Sequence, residues 1–255
     1  MKSKIIPIIT LCASVIGAYF IMTILYPDIN PLKSAQSNID EKIAELGRPF
    51  NPEIMQTVKE NDDKKFPGIC KDNKTINSTM GVSEDVYFLD KKVASAEEQP
   101  CIYCIGFIFQ MYMKTLNEFM KENELKTIGK LNKNNVKDFR RTFYGVRSKK
   151  TCVQALTQYG LGVEIPNISL AKPGDLIQFW RDFGNGHCVI LTSLDEDFDG
   201  VNGINFWSAQ RSTKGVSYNT EYLIEEGGHI DPGKIYIVRP VVPVVPGYSP
   251  PSSSP

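Results

Sequence analysis

Pro100-Cys-Ile-Tyr-Cys-Ile-Gly-Phe-Ile-Phe-Gln-Met-Tyr-Met-Lys114 follows a stretch of turn and charge, Ala94–Gln99, and becomes almost wholly apolar. From Ile105 to Met120 the apolar residues fall on nearly every face of a helix. That pattern predicts a buried helix rather than an amphipathic one at the surface. Cys104 stands in its first turn. A helix N-terminus carries unpaired N–H groups and about half a positive charge. A thiolate is stabilised there, and thiol pKa values at such sites fall from about 8.5 to roughly 3.5–7.5. Nucleophilic catalysis by such a thiol also needs a base, so the rest of the chain is read for one.

Charge is balanced, 29 basic residues against 29 acidic, and no basic stripe points to nucleic acid as a partner. Six cysteines in 255 residues are too few for a disulfide scaffold. The only histidines are His187 and His229. Their scarcity argues against a histidine-rich metal centre, and no metal or cofactor is expected.

Upstream, Lys2 and Lys4 precede an uncharged run from Ile5 to Tyr26. About 20 apolar residues span a bilayer, and a cleavable signal peptide has a shorter core and a small-x-small exit. Residues 1–27 therefore read as a transmembrane signal-anchor with the body outside the cytoplasm; a cleaved signal peptide is the alternative. Cys12 reads as a small residue within that anchor, because Thr10 and Leu11 do not suit a lipidation site. Residues 28–66 are polar, with short helical stretches near Ile39–Leu46 and Pro52–Glu60, and read as a stalk. Residues 67–240 read as the main domain with an N-terminal extension. Asn73 and Asn77 match the glycosylation pattern, which has meaning only in a eukaryotic secretory pathway. Residues 241–255, rich in proline and serine, read as a disordered or extended tail.

Downstream of the central helix, further helices are predicted at Asn135–Phe143 and Thr151–Tyr159. Strands follow at Asp175–Trp180, His187–Leu194, Ile204–Gln210 and Ile235–Val238. Helices followed by a run of strands predict an α+β fold, with the buried helix packed on an antiparallel sheet. Asp195–Gly200 looks like the first half of a calcium loop, but the twelfth position is Phe206, so a solvated hairpin turn is expected.

His187 opens a strand just after Gly184-Asn-Gly186. Strand alternation puts His187 and Val189 on one face and Cys188 on the other. It likewise groups Ser208 with Gln210, opposite Trp207 and Ala209. If those strands pair, Gln210 or Ser208 reaches the far ring nitrogen of His187. Gln210 ranks first, because its amide carbonyl reaches further and is a firm acceptor. His229 lies in a Gly-rich loop and reads as solvated.

Cys104-Ile-Gly106-Phe107 at a helix start, Pro173-Gly-Asp-Leu-Ile-Gln-Phe179, and Gly186-His187-Cys-Val-Ile-Leu191 together resemble the NlpC-type branch of the papain-like cysteine peptidases. The three motifs span roughly residues 100 to 240. The resemblance implies a papain-like domain that hydrolyses amide bonds in peptidoglycan stem peptides through an acyl-enzyme. Cys104 is then the nucleophile, His187 the base, and Gln210 or Ser208 the third member. Three positions depart from the family pattern: Tyr103 where many members carry aspartate, Ile105 where serine is common, and Gln210 or Ser208 where histidine is frequent. Two other classes use the same residues. One is an inactive envelope-binding module on this fold. The other is a thiol–disulfide oxidoreductase using Cys101-x-x-Cys104, although Ser95–Pro100 is not the buried strand that would lead into such a motif. Outside the cytoplasm Cys101 pairs with Cys70 or Cys152, and the sequence does not choose.

Overall fold

A computed structural model describes residues 31–70, 81–96, 98, 100–145, 150–198 and 200–251. The Ile5–Tyr26 run, Cys12, Asn73 and Asn77 lie outside the described residues. The chain divides into two compact units, 1–41 and 42–255. In the first, the described residues are the opening of helix α1 (Pro31–Leu46). The second continues with β1 (Arg48–Pro49), α2 (Asn51–Asn61), a hairpin of β2 (Val86–Phe88) and β3 (Lys91–Ala94), and α3 (Cys104–Glu122). Then come α4 (Val136–Tyr144), α5 (Thr151–Gln158), β4 (Gly162–Ile165), β5 (Leu176–Arg181), β6 (Gly186–Asp197), β7 (Gly200–Gln210), β8 (Gly215–Tyr222) and β9 (Ile230–Val242).

The main sheet is antiparallel in the order β1-β9-β5-β6-β7-β8, and β4 also pairs with β9. Two faces follow from the alternation of side chains. Leu176, Cys188, Ile190, Trp207, Ala209 and Val238 join the helices in one core. Ile177, Phe179, Val189, Leu191, Phe206 and Ile237 point the other way and are equally buried. A flat sheet with helices on one side leaves its second face wet. Here the sheet is curled, and the second face closes on itself.

Helix α3 is held by apolar residues over most of its circumference, and only Glu118, Lys121 and Glu122 are exposed. Phe107, Ile108, Phe109, Tyr112, Met113 and Leu116 are all fully buried. Phe107 packs on Trp207 with ring centroids 4.9 Å apart, and Phe109 packs on Phe143 at 5.3 Å. Truncating one such ring to alanine costs about 3–5 kcal/mol.

The Pro173-Gly-Asp turn fastens β5 to its neighbours. Gly174 has φ 88°, and a side chain there would come within 2.9 Å of Asn51. Asp175 is fully buried and accepts from Arg239 through Nε at 3.0 Å and Nη2 at 2.8 Å. Asn51 Nδ2 also donates to it, at 2.8 Å. This buried pair links α2, β5 and β9.

Several expectations need correction. Among the described residues no helix is long and apolar enough to cross a membrane. The expected N-terminal transmembrane helix is therefore not an element of the fold described; α1, the first helix among the described residues, carries Lys33, Asp40, Glu41, Lys42 and Glu45. The stretch from Phe50 to Asn61 is not a stalk. Phe50, Ile54 and Val58 enter the core, and Asn51, Glu53, Thr57 and Asn61 are buried, with Thr57 in a 2.7 Å contact with Thr115. The tail is not free from 241 onward. β9 runs to Val242, and the Tyr248 ring lies 5.1 Å from Phe119 and 4.9 Å from the Arg48 guanidinium. Asp195–Asp197 pairs with Gly200–Gly203 as the end of a hairpin, in keeping with the turn reading.

Candidate active site

Cys104 is placed by its lead-in. Tyr103 is extended, with φ −111° and ψ 156°, and α3 starts at the next residue without a side-chain cap. Three backbone hydrogen bonds pin this approach: Ile102 N–H to Gly68 O at 3.1 Å, Cys70 N–H to Ile102 O at 3.2 Å, and Tyr103 N–H to Gly81 O at 3.2 Å. A disulfide joins Cys70 to Cys101 across the same place. Cys101 thus pairs with Cys70, not with Cys152, and not with Cys104 as a redox motif requires. Among the described residues the free thiols are Cys104, Cys152 and Cys188, the last two buried.

The sheet opens where Cys104 approaches. The β6–β7 ladder runs from the hairpin end to Ile190 opposite Trp207; before Ile190, β6 pairs with β5 alone. Near that point the Cys188 backbone N–H lies on the side of the Cys104 sulfur and favours its charged form. Burial pushes the Cys104 thiol above its ordinary value, and this outweighs the N–H groups of Cys188 and Ile105 and the charge of Arg181, which pull it down. The helix N-terminus was expected to lower this pKa. Burial wins although Cys104 keeps part of its surface exposed to the cavity, because the first turn of α3 packs against the sheet.

His187 lies on β6 opposite Phe179 of β5. Its ring is set between Phe179, centroids 5.6 Å apart, and Phe206, at 5.7 Å. Nε2 is hydrogen-bonded to Ser208 Oγ at 2.9 Å. Burial lowers its pKa from the usual 6.5 to about 3, with the Arg181 cation acting in the same direction and Gln210 opposing both. The ring is therefore neutral at ordinary pH. Gln210 lies close enough to favour the charged ring, but both of its amide atoms are buried without a hydrogen-bond partner among the described residues. The group that holds the ring is Ser208, the reverse of the order expected from reach alone.

Cys104, His187 and Gln210 line one cavity of about 800 Å³. Ser208, fully buried, stands behind the ring. With Nε2 engaged, Nδ1 is the nitrogen left for chemistry. No hydrogen bond joins Cys104 to His187 in this structure, so the thiol and imidazole face one cavity as two neutral groups. Among the described residues no cluster of histidine, cysteine or acidic side chains is arranged to hold a metal ion. His229 is exposed, 3.4 Å from Asp182.

Sequence reasoning gave no role to two residues of this cavity. Arg181 donates from Nε to Glu221 at 2.8 Å and also pairs with it through Nη2. Gln178 accepts from Thr151 twice, from N–H at 2.9 Å and Oγ at 2.7 Å. The signal was present in Leu176-Ile-Gln-Phe-Trp-Arg181, where a glutamine and an arginine interrupt an apolar strand. No protein-family model, curated protein or solved structure matches this chain.

Proposed function

We propose that this protein is a papain-like cysteine hydrolase that cleaves amide bonds through an acyl-enzyme. The observation that carries the reading is the meeting of Cys104 and His187 in one cavity, with the ring nitrogen away from that chemistry held by Ser208. Cys104 sulfur attacks the amide carbonyl carbon, and its proton passes to His187 Nδ1. The resulting imidazolium is stabilised by Ser208 accepting from Nε2–H. His187 then returns the proton to the departing nitrogen as the C–N bond breaks, leaving a thioester. Water, deprotonated by the same ring, releases the acid and restores the thiol. Since both groups are neutral at rest, proton transfer accompanies attack, in contrast to a preformed ion pair.

The resemblance of the three motifs to NlpC-type enzymes supports peptidoglycan stem peptides as the substrate class. The Cys70–Cys101 disulfide supports an oxidising compartment, where such bridges persist. The test is incubation of the purified domain with soluble peptidoglycan fragments and mass spectrometry of the products. New amine and carboxyl ends that disappear with Cys104→Ala are expected. Intact fragments with the wild-type protein would favour the second reading, an envelope-binding module, for which the unjoined thiol and imidazole are the supporting observation.

A further inference from the structure

The described cavity holds one polar group with a fixed direction and no assigned task. Gln178 sits on β5 opposite Cys188 of β6, so their side chains share a face and are nearest neighbours across the ladder. That face is the one covered by the helices, on the side from which Cys104 approaches. Cys188 and Cys104 line one cavity, and the Cys188 backbone N–H lies near enough to the sulfur to favour its charged form. Gln178 is thus one strand away from the nucleophile, and both line the same cavity.

The orientation of its amide follows from its partners. Thr151 presents a backbone N–H at 2.9 Å and a hydroxyl at 2.7 Å to one atom of Gln178. A backbone N–H only donates, so that atom is the carbonyl oxygen. Two bonds on the oxygen fix the amide plane and turn the NH2 group the other way. Nε2 has no hydrogen-bond partner among the described residues, and Gln178 borders the cavity. Thr151 opens α5, so the anchor is itself held by a helix.

We infer that Gln178 is a catalytic residue whose side-chain NH2 donates to the oxygen of the carbonyl that Cys104 attacks. This rests on the reading of Cys104 as nucleophile. When sulfur adds to the carbonyl carbon, the C–S bond forms and the π pair moves to oxygen. A preorganised donor facing that oxygen stabilises the developing charge, and loss of one such donor lowers turnover by about 10²–10³-fold. The backbone N–H of Cys104, at the open start of α3, supplies a second donor. Gln178 and Cys104 thus approach the oxygen from the sheet and the helix.

The test uses acetyl-Ala-alaninal, an aldehyde that adds a thiol to give a thiohemiacetal, the thiol proton ending on the former carbonyl oxygen. Its affinity is read from protection of Cys104 against iodoacetamide, with the labelled cysteine identified by mass spectrometry. Two variants are compared. Gln178→Glu keeps an acceptor for both Thr151 donors but has no NH2; Gln178→Met removes the donor without adding charge. The expected result is loss of aldehyde affinity by about 10²-fold in both variants. In Gln178→Met the iodoacetamide rate without aldehyde should stay within about threefold, because that displacement builds no oxyanion. A purely structural role would move both readouts together. Wild-type affinity in either folded variant overturns the assignment while leaving the nucleophile intact. If the aldehyde fails to protect Cys104 in the wild-type protein, the assignment falls together with the hydrolase reading.

Discussion

Acidification should weaken this fold through a single ring. His187 takes up a proton near 6.5 when unfolded but only near pH 3 when folded, because it is buried beside Arg181. Between those values the unfolded chain binds more protons, so stability rises with pH across the window and falls as pH drops through it. Each unit of pH inside the window is worth up to about 1.4 kcal/mol. From pH 7 to pH 4.5 this ring alone removes about 2–3 kcal/mol, a sizeable part of the roughly 5–15 kcal/mol that holds a domain together. Carboxylates also titrate in acid, so the effect must be isolated by difference. His187→Gln can still hydrogen-bond Ser208 and carries no charge at any pH. Urea unfolding of wild type and variant at pH 7, 6, 5 and 4.5 gives the stability gap between them. That gap should shift by about 2–3 kcal/mol in favour of the variant as pH falls. A gap that stays constant would refute both the neutral buried ring and the proton-transfer scheme built on it.

Cys104 should be alkylated by iodoacetamide with a rate that climbs through alkaline pH, since burial raises the thiol; a plateau already reached at pH 6 would reveal an ion pair with His187. Ser208→Ala should lower kcat on peptidoglycan fragments by about 10- to 100-fold, because the ring loses the group that holds Nε2. Gln210→Ala should cost less than that, and the reverse order would restore Gln210 as the orienting residue. Arg239→Met leaves the buried Asp175 charge without its bidentate partner and should cost about 3–5 kcal/mol in urea unfolding; an effect below about 1 kcal/mol would show that water or another group replaces it. Truncation after Gly247 removes the Tyr248 ring from Phe119 and Arg48 and should cost about 1–2 kcal/mol, whereas truncation after Tyr248 should cost almost nothing; equal melting temperatures for the two would mean that the ring is not docked.

The sequence carried α3, α4 and α5 within a residue or two at most ends, because each has an apolar pattern matched to its burial. It was silent on β8, whose Ser217, Asn219 and Glu221 make an edge strand with no apolar run. Strand β9 was read as four residues because Asp231-Pro-Gly233 imitates a turn, yet here it lies inside a long strand. The Phe50–Asn61 stretch looked like a stalk because its buried Asn51, Glu53, Thr57 and Asn61 are polar; hydrogen bonds to distant segments, invisible in one dimension, make that burial possible. In the site, strand alternation put Ser208 and Gln210 on one face of their strand, and Ser208 is the one hydrogen-bonded to His187. It had no means of choosing between them, since that depends on how the two strands part beyond Ile190 and Trp207. The thiol's raised pKa was hidden for a related reason: a helix start has a known dipole, but how deeply it is buried depends on the whole fold.

The bond between Cys70 and Cys101 spans a sequence separation of 31 and closes a covalent ring that includes the β2–β3 hairpin. That hairpin is itself fastened to α3, with Phe88 in the core and Leu89 N–H donating to Asn117. A single peptide-bond cut anywhere inside the ring therefore divides the polypeptide without dividing the molecule. The nicked protein would run as one species until a reductant is added and as two fragments afterwards. Its nucleophile would stay seated, because the strap that positions Cys104 is tied by sulfur at one end and by the helix at the other.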